Sequence, residues 1–212
     1  MNVILASASP RRKELLGHLF SEFTILPAQG EEQADFQTPS QYVSKLAEHK
    51  AMEIARTKFS AKRLPDAGPV TDYPSDQITL ILGADTIVYA DSQVLGKPAD
   101  ADEAFSMLSR LSGKSHEVYT GVSLIFLSEK EHAILDVHSF SEKTEVFVDT
   151  LTKEEILSYI ASKDPLDKAG SYGIQGLFSK HITGINGDYF NVVGLPVSRI
   201  YRELKTVLGN KY

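Results

Sequence analysis

The 212-residue chain contains no cysteine. Disulfides, thiolate nucleophiles and sulfur-ligated metals are therefore excluded together. Its six histidines are scattered, with no metal-ligand spacing. Long apolar runs are missing too, and none approaches the roughly 18 residues of a membrane span. Residues 1–6 are too short an apolar stretch for a secretory signal and run straight into charge, so a soluble, cytoplasmic chain is expected. A basic excess is also absent. The formal net charge is -6, and no basic stripe is interleaved with aromatics, so neither nucleic acid nor a membrane surface is an expected partner. An acidic protein that binds a polyanion must gather its positive charge locally, or use a metal. No Gly-x-Ser-x-Gly elbow, internal repeat or low-complexity tract occurs.

Two glycine patterns resemble phosphate loops and fail on inspection. Gly113-Lys114-Ser115 looks like the end of a P-loop, yet the upstream glycine position is Leu108 and the helix precedes the loop. Gly170, Gly173 and Gly176 are spaced GxxGxxG, without a strand leading in, which is not a dinucleotide fingerprint.

Positive charge is concentrated at one place. The apolar run Val3 to Ala6 reads as a short buried strand, and residues 7–14 follow as SASPRRKE. Leu15, Leu16 and Leu19 then suit one face of a helix. Ser9 is a good N-cap and Pro10 a good first residue, so Arg11, Arg12 and Lys13 fall in the first turn. Cations there oppose the helix dipole unless something negative sits among them. Free backbone N–H groups with arginines describe an anion site. A basic turn splayed into water is the alternative.

The rest of the chain alternates helix and strand. A strand over 23–27 and a polar loop over 28–38 lead to a helix over about 40–57. Residues 58–77, with three prolines among charges, read as a surface loop insertion. A continuous apolar strand over 78–82 ends in Gly83-Ala84-Asp85-Thr86, and a hairpin near Asp91-Ser92 follows. Helices are expected over 101–111, 152–162 and 196–208, the second with capping-box spacing at Thr152 and Glu155. Long β stretches are expected over 116–127 and 133–148, and a short strand near 189–193. This order predicts a mixed α/β fold, an elongated sheet with flanking helices and two lobes around a cleft, in one domain over 1–212.

Chemistry-bearing residues are few. Asp85 ends an apolar strand, where a metal ligand or general base commonly sits; a turn-capping role is the alternative. Glu31 and Glu32 are paired acids in a polar loop, otherwise simply solvated. Lys50 lies in the 40–57 helix, where exposure is the default. Lys97 sits in Gly-Lys-Pro, a loop shape fixed by proline that allows close backbone approach. Gln175, between Gly173 and Gly176, suits an amide bonded to a flat heterocycle, or an ordinary turn. The residues alone reach a phosphate-binding, hydrolytic protein.

The stretch Leu5-Ala-Ser-Ala-Ser-Pro-Arg-Arg-Lys-Glu-Leu-Leu16 closely resembles the signature of the Maf family of nucleoside triphosphate pyrophosphatases. The resemblance continues through Glu31-Glu32, Leu46-Ala-Glu-His-Lys50, Gly83-Ala-Asp-Thr-Ile-Val88, Gly96-Lys-Pro98 and Leu111-Ser-Gly-Lys-Ser-His116. It reaches Asp167-Lys-Ala-Gly-Ser-Tyr-Gly-Ile-Gln-Gly176 and Gly187-Asp-Tyr189, covering nearly the whole chain. It implies a fold similar to inosine triphosphate pyrophosphatases and a metal-dependent cleavage of a nucleoside triphosphate to the monophosphate and pyrophosphate, with Mg²⁺ or Mn²⁺. It makes Asp85 the proton acceptor and a metal ligand. Ser7, Arg11, Arg12, Lys50 and Lys97 become phosphate ligands, Glu32 a metal ligand and Glu31 a second. Arg11, Thr86 and Gln175 resemble the branch that prefers dTTP and UTP, with modified pyrimidine nucleotides also open. A homodimer is compatible with the family. A nucleotide-binding regulator of septum formation without significant catalysis is the competing reading, and the intact Asp85 speaks against it.

Overall fold

Three long strands run the length of the molecule and everything else is laid against them. The computed structural model describes residues 1–30, 38–63, 70–72 and 74–209. The long strands are β4 (Ile78–Ala90), β6 (Ser115–Ser128) and β7 (Ala133–Val148), paired antiparallel in that order. At one end β4 is extended by parallel β1 (Asn2–Leu5), which carries parallel β2 (Thr24–Ile25). At the same end β7 carries parallel β3 (Lys62–Arg63). At the other end antiparallel β5 (Gln93–Leu95) pairs with β4, and antiparallel β8 (Ile182–Asn186) pairs with β7. The result is an eight-stranded mixed sheet.

Helices cover both faces, as the near-continuous burial of β4 requires. Helix α2 (Pro39–Phe59) lies on one face, where Ala51, Ile54 and Ala55 pack with Ile4, Ile81, Ile125 and Leu127. The other face takes the larger core. There α1 (Pro10–Leu16), α3 (Ala101–Leu111), α4 (Lys153–Ala161) and α6 (Val197–Leu208) contribute Leu15, Leu16, Leu108, Ile156, Ile200 and Leu204. Alternate residues of β4 divide between the cores: Leu80, Leu82, Ala84 and Val88 enter the larger one, Ile81 the smaller.

Several expectations change here. β4 does not stop at residue 82 but runs to Ala90, because β6 pairs along its whole length and supplies the hydrogen bonds that the small polar residues do not disturb. Residues 189–193, expected as a strand, form the short helix α5 (Tyr189–Val193). The Asp188 carboxylate accepts from the backbone N–H groups of Phe190 and Asn191, and Gly194 ends the helix at φ 127°. Local capping thus overrode the β-branched and aromatic composition. Helix α1 ends at Leu16, so Leu19, expected on the same helix face, lies beyond it. In the 58–77 region, β3 extends the sheet, Val70 is buried, and short 3₁₀ turns occupy 70–72 and 75–77.

Candidate active site

The architecture leaves one stretch of β4 open. β1 pairs with β4 only as far as Leu82, and β5 only from Val88. Among the described residues, 83–87 therefore have a strand neighbour on the β6 side alone. The Ala6 N–H still reaches Leu82 O at 2.8 Å, so the 6–9 loop that opens α1 sits at the start of this gap. Asp85 lies in the middle of it.

On the α2 side, Asp85 meets Lys50. The Lys50 ammonium donates to Asp85 Oδ1 at 2.6 Å. Both side chains are largely buried, 14% and 11% exposed, so the pair is shielded rather than solvated at the surface. Two glycines allow this approach. A Cβ on Gly83 would lie 2.2 Å from Ala47 O, and one on Gly121 would lie 2.1 Å from Val43 O. Gly121 is the register partner of Asp85. Helix α2 thus lies on bare backbone, one turn before the residue that must reach the carboxylate. Lys50, for which solvent exposure was the default, points inward for this reason.

On the other face stands Arg12. Its guanidinium donates to Ser7 Oγ (3.2 Å), Thr86 Oγ1 (3.1 Å) and Gly194 O (3.0 Å). Ser7 is buried, and it also accepts from the Ser9 N–H. Ser9 caps α1 as expected, accepting from the Arg12 N–H. With α1 only seven residues long, the side-chain cations outweigh its dipole as a source of positive potential. Arg11 turns the other way, toward Asp167, at 3.9 Å.

Asp167 belongs to a polar cluster centred on Lys168. Lys168 donates to Asp164 O (2.6 Å), Asp164 Oδ1 (3.1 Å) and Asp167 Oδ1 (2.7 Å). Partial burial pushes the Asp167 carboxyl up, but the Lys168 hydrogen bond and charge, with Arg11, hold it below the usual range. Asp164 accepts in turn from Tyr159 Oη at 2.6 Å, and the Gly173 N–H reaches that same Oη at 3.3 Å. This holds the loop that carries Gln175. Gln175 and Lys97 are both exposed, and the Gly170 N–H to Gly96 O bond at 3.0 Å joins their loops.

Asp85, Lys50, Ser7, Arg12 and Thr86 are therefore gathered around one stretch of strand edge. Arg11 adjoins Arg12 in α1 and pairs with Asp167 instead, and Lys97 and Gln175 are exposed on two loops joined to each other by the Gly170–Gly96 bond. Glu31 and Glu32 lie outside the described residues. Among the described residues, no three His, Asp or Glu side chains gather to hold a cation. Asp85 supplies one carboxylate, with one oxygen already given to an ammonium, and does not by itself build a resident cation site. Thr120 and Asn191, which sequence reading passed over, are fully buried polar residues beneath Thr86. The only signal for them was polarity inside a long apolar strand and after the Gly-Asp-Tyr motif. No described helix is long and apolar enough to cross a membrane.

Known proteins resemble this chain along its length. A protein of Agathobacter rectalis named dTTP/UTP pyrophosphatase is 52% identical over 203 residues, 96% of each chain. Proteins of the same name from Bacillus cereus and Lachnoclostridium phytofermentans are 48% and 42% identical over 96% of this chain, and 94% and 93% of theirs. The solved nucleoside-triphosphatase / dITP/XTP pyrophosphatase of Mycobacterium abscessus superposes at a TM-score of 0.44 with 11% identity over 100% of both chains, a likeness too slight to argue from. The sequence pattern of the Maf-like protein family matches residues 2–207, and the chain belongs to that family.

Proposed function

We propose that the protein is a nucleoside triphosphate pyrophosphatase that hydrolyses dTTP and UTP to the monophosphate and pyrophosphate. The names of its relatives support the substrate, and the observation that carries the chemistry is the shielded Lys50–Asp85 pair on the open edge of β4. We read the chain as one unit whose two lobes, at the two ends of the long strands, flank this edge.

In this reading the triphosphate lies among Ser7, Arg11, Arg12, Lys50 and Lys97. Asp85 keeps Oδ1 on Lys50, and its Oδ2, without a hydrogen bond among the described residues, faces the attacking water. Oδ2 takes the water proton as the water oxygen bonds to the α-phosphorus. The bond from that phosphorus to the oxygen bridging to the β-phosphorus breaks, and pyrophosphate leaves with the electron pair. Negative charge grows on the non-bridging and leaving oxygens, and the surrounding cations stabilise it more than they stabilise the ground state. A divalent ion, Mg²⁺ or Mn²⁺, enters with the triphosphate as part of the substrate, and Glu31 and Glu32 are its candidate additional ligands. Gln175, held by the Lys168 cluster, reads the oxygen and N–H edge of the pyrimidine.

The test is pyrophosphate release from a nucleotide panel with Mg²⁺, Mn²⁺ or EDTA. Metal-dependent release favouring dTTP and UTP is expected. Comparable activity on 7-methyl-GTP overturns the pyrimidine preference, and silence across the panel with binding retained overturns the enzyme.

A further inference from the structure

The wiring beneath Thr86 has a fixed direction. Thr120 is its register partner across the β4–β6 ladder and is fully buried. The Thr120 hydroxyl donates to the main-chain oxygen of Asn191 at 2.9 Å, an acceptor that has no proton to offer. A threonine hydroxyl carries a single proton, so Thr120 has none left. The 3.0 Å contact between Thr120 Oγ1 and Thr86 Oγ1 must then take its proton from Thr86. Thr86 has spent its own proton in turn, and it accepts from Arg12 Nη2 at 3.1 Å. Every proton in the chain points from Arg12 through Thr86 and Thr120 to the Asn191 carbonyl. That carbonyl is held firmly. The Asn191 amide donates to Val118 O (3.1 Å) and Thr144 Oγ1 (2.9 Å), and Asp188 caps its helix.

We infer that Thr120, buried beyond the reach of any substrate, is the positioning residue that orients Arg12. It does so by consuming the Thr86 proton, which leaves Thr86 able only to accept. The inference rests on the reading that Arg12 and Thr86 face the nucleotide. Its consequence for substrate is specific. A nucleotide group that meets Thr86 must be a donor, such as a sugar hydroxyl or a pyrimidine ring N–H. An unprotonated ring nitrogen finds no hydrogen there. Without the Thr120 hydroxyl, the Thr86 proton has no acceptor beneath it. It is free to turn toward the guanidinium, donor against donor, and Arg12 loses one of its anchors.

The experiment combines crystal structures with a double-mutant cycle. In Thr120→Val, of nearly equal volume, Arg12 Nη2 is expected to leave hydrogen-bond range of Thr86, with kcat/KM for dTTP falling about tenfold, the scale of a buried donor left unpaired. Thr120→Ser restores both. Thr86→Val combined with Thr120→Val is expected to be no worse than Thr86→Val alone, since no proton then needs placing. Should Thr120→Val not fold, Thr120→Ala removes the same hydroxyl. An Arg12 that stays on Thr86 without the Thr120 hydroxyl overturns the inference, as do single losses that multiply in the double variant. If the wild type releases no pyrophosphate, the functional reading fails, while the position of Arg12 in the crystals still decides the role of Thr120.

Discussion

Replacing Gly121 by alanine is expected to disable the protein without touching a charged or polar side chain. The added Cβ would lie 2.1 Å from Val43 O, 2.2 Å from Val43 C and 2.6 Å from Ser44 N. All three are backbone atoms of α2, so no side-chain rotation relieves the clash. The helix must lift by about 1 Å to restore ordinary contact. Overpacking of this kind costs about 1–3 kcal/mol, which for a chain of this length lowers Tm by roughly 2–12 °C. The same lift carries Lys50 away from Asp85, and a misplacement of about 1 Å at a reacting centre costs on the order of 100-fold in rate. Thermal unfolding and dTTP turnover measure both effects. Gly184→Ala is the control, because its Cβ would meet only Phe147 Cδ2 at 3.9 Å. A Gly121→Ala protein with unchanged Tm and turnover would refute the claim that bare backbone seats α2 and delivers Lys50.

Three further outcomes are expected. Asp85→Asn lowers dTTP turnover by at least about 100-fold, the scale of a lost general base, with the fold retained by circular dichroism. Asp167→Asn releases Arg11 from a partly exposed pair and lowers KM by about two- to fivefold, the worth of such a contact, an effect that fades at high salt. His116 is buried, its Nε2 2.7 Å from the Tyr172 hydroxyl, and burial lowers its pKa from 6.5 to about 4. Because the unfolded chain takes up the proton first, stability is full above pH 6.5 and falls as pH drops toward 4, by up to about 3 kcal/mol. Urea unfolding of wild type against His116→Gln across that window isolates the effect, and parallel pH profiles would contradict it.

The helices and long strands were legible because their periodicities are strong. α3 runs over exactly the expected residues, and the alternation at 144–148 matches its burial. The charged first turn was legible because three cations at a helix start require an explanation. Less could be read of how these groups meet. Lys50 sits on an ordinary-looking helix turn, and only the register that sets Gly121 against Asp85 brings it inward. Arg12 was expected to face an anion, yet it is also a structural anchor for Ser7, Thr86 and Gly194, the last 182 residues away. Such long-range acceptors leave no local pattern. The 189–193 segment misled because composition favours a strand, while a single Asp188 side chain satisfies two helix N–H groups.

In the proposed reaction, water attacks the α-phosphorus at the edge of β4. Hydrolysis of dTTP in ¹⁸O-water, followed by mass spectrometry of both products, locates the attacked phosphorus. The label is expected in dTMP and not in pyrophosphate. Label in the pyrophosphate would place the attack at the β-phosphorus and contradict that reaction.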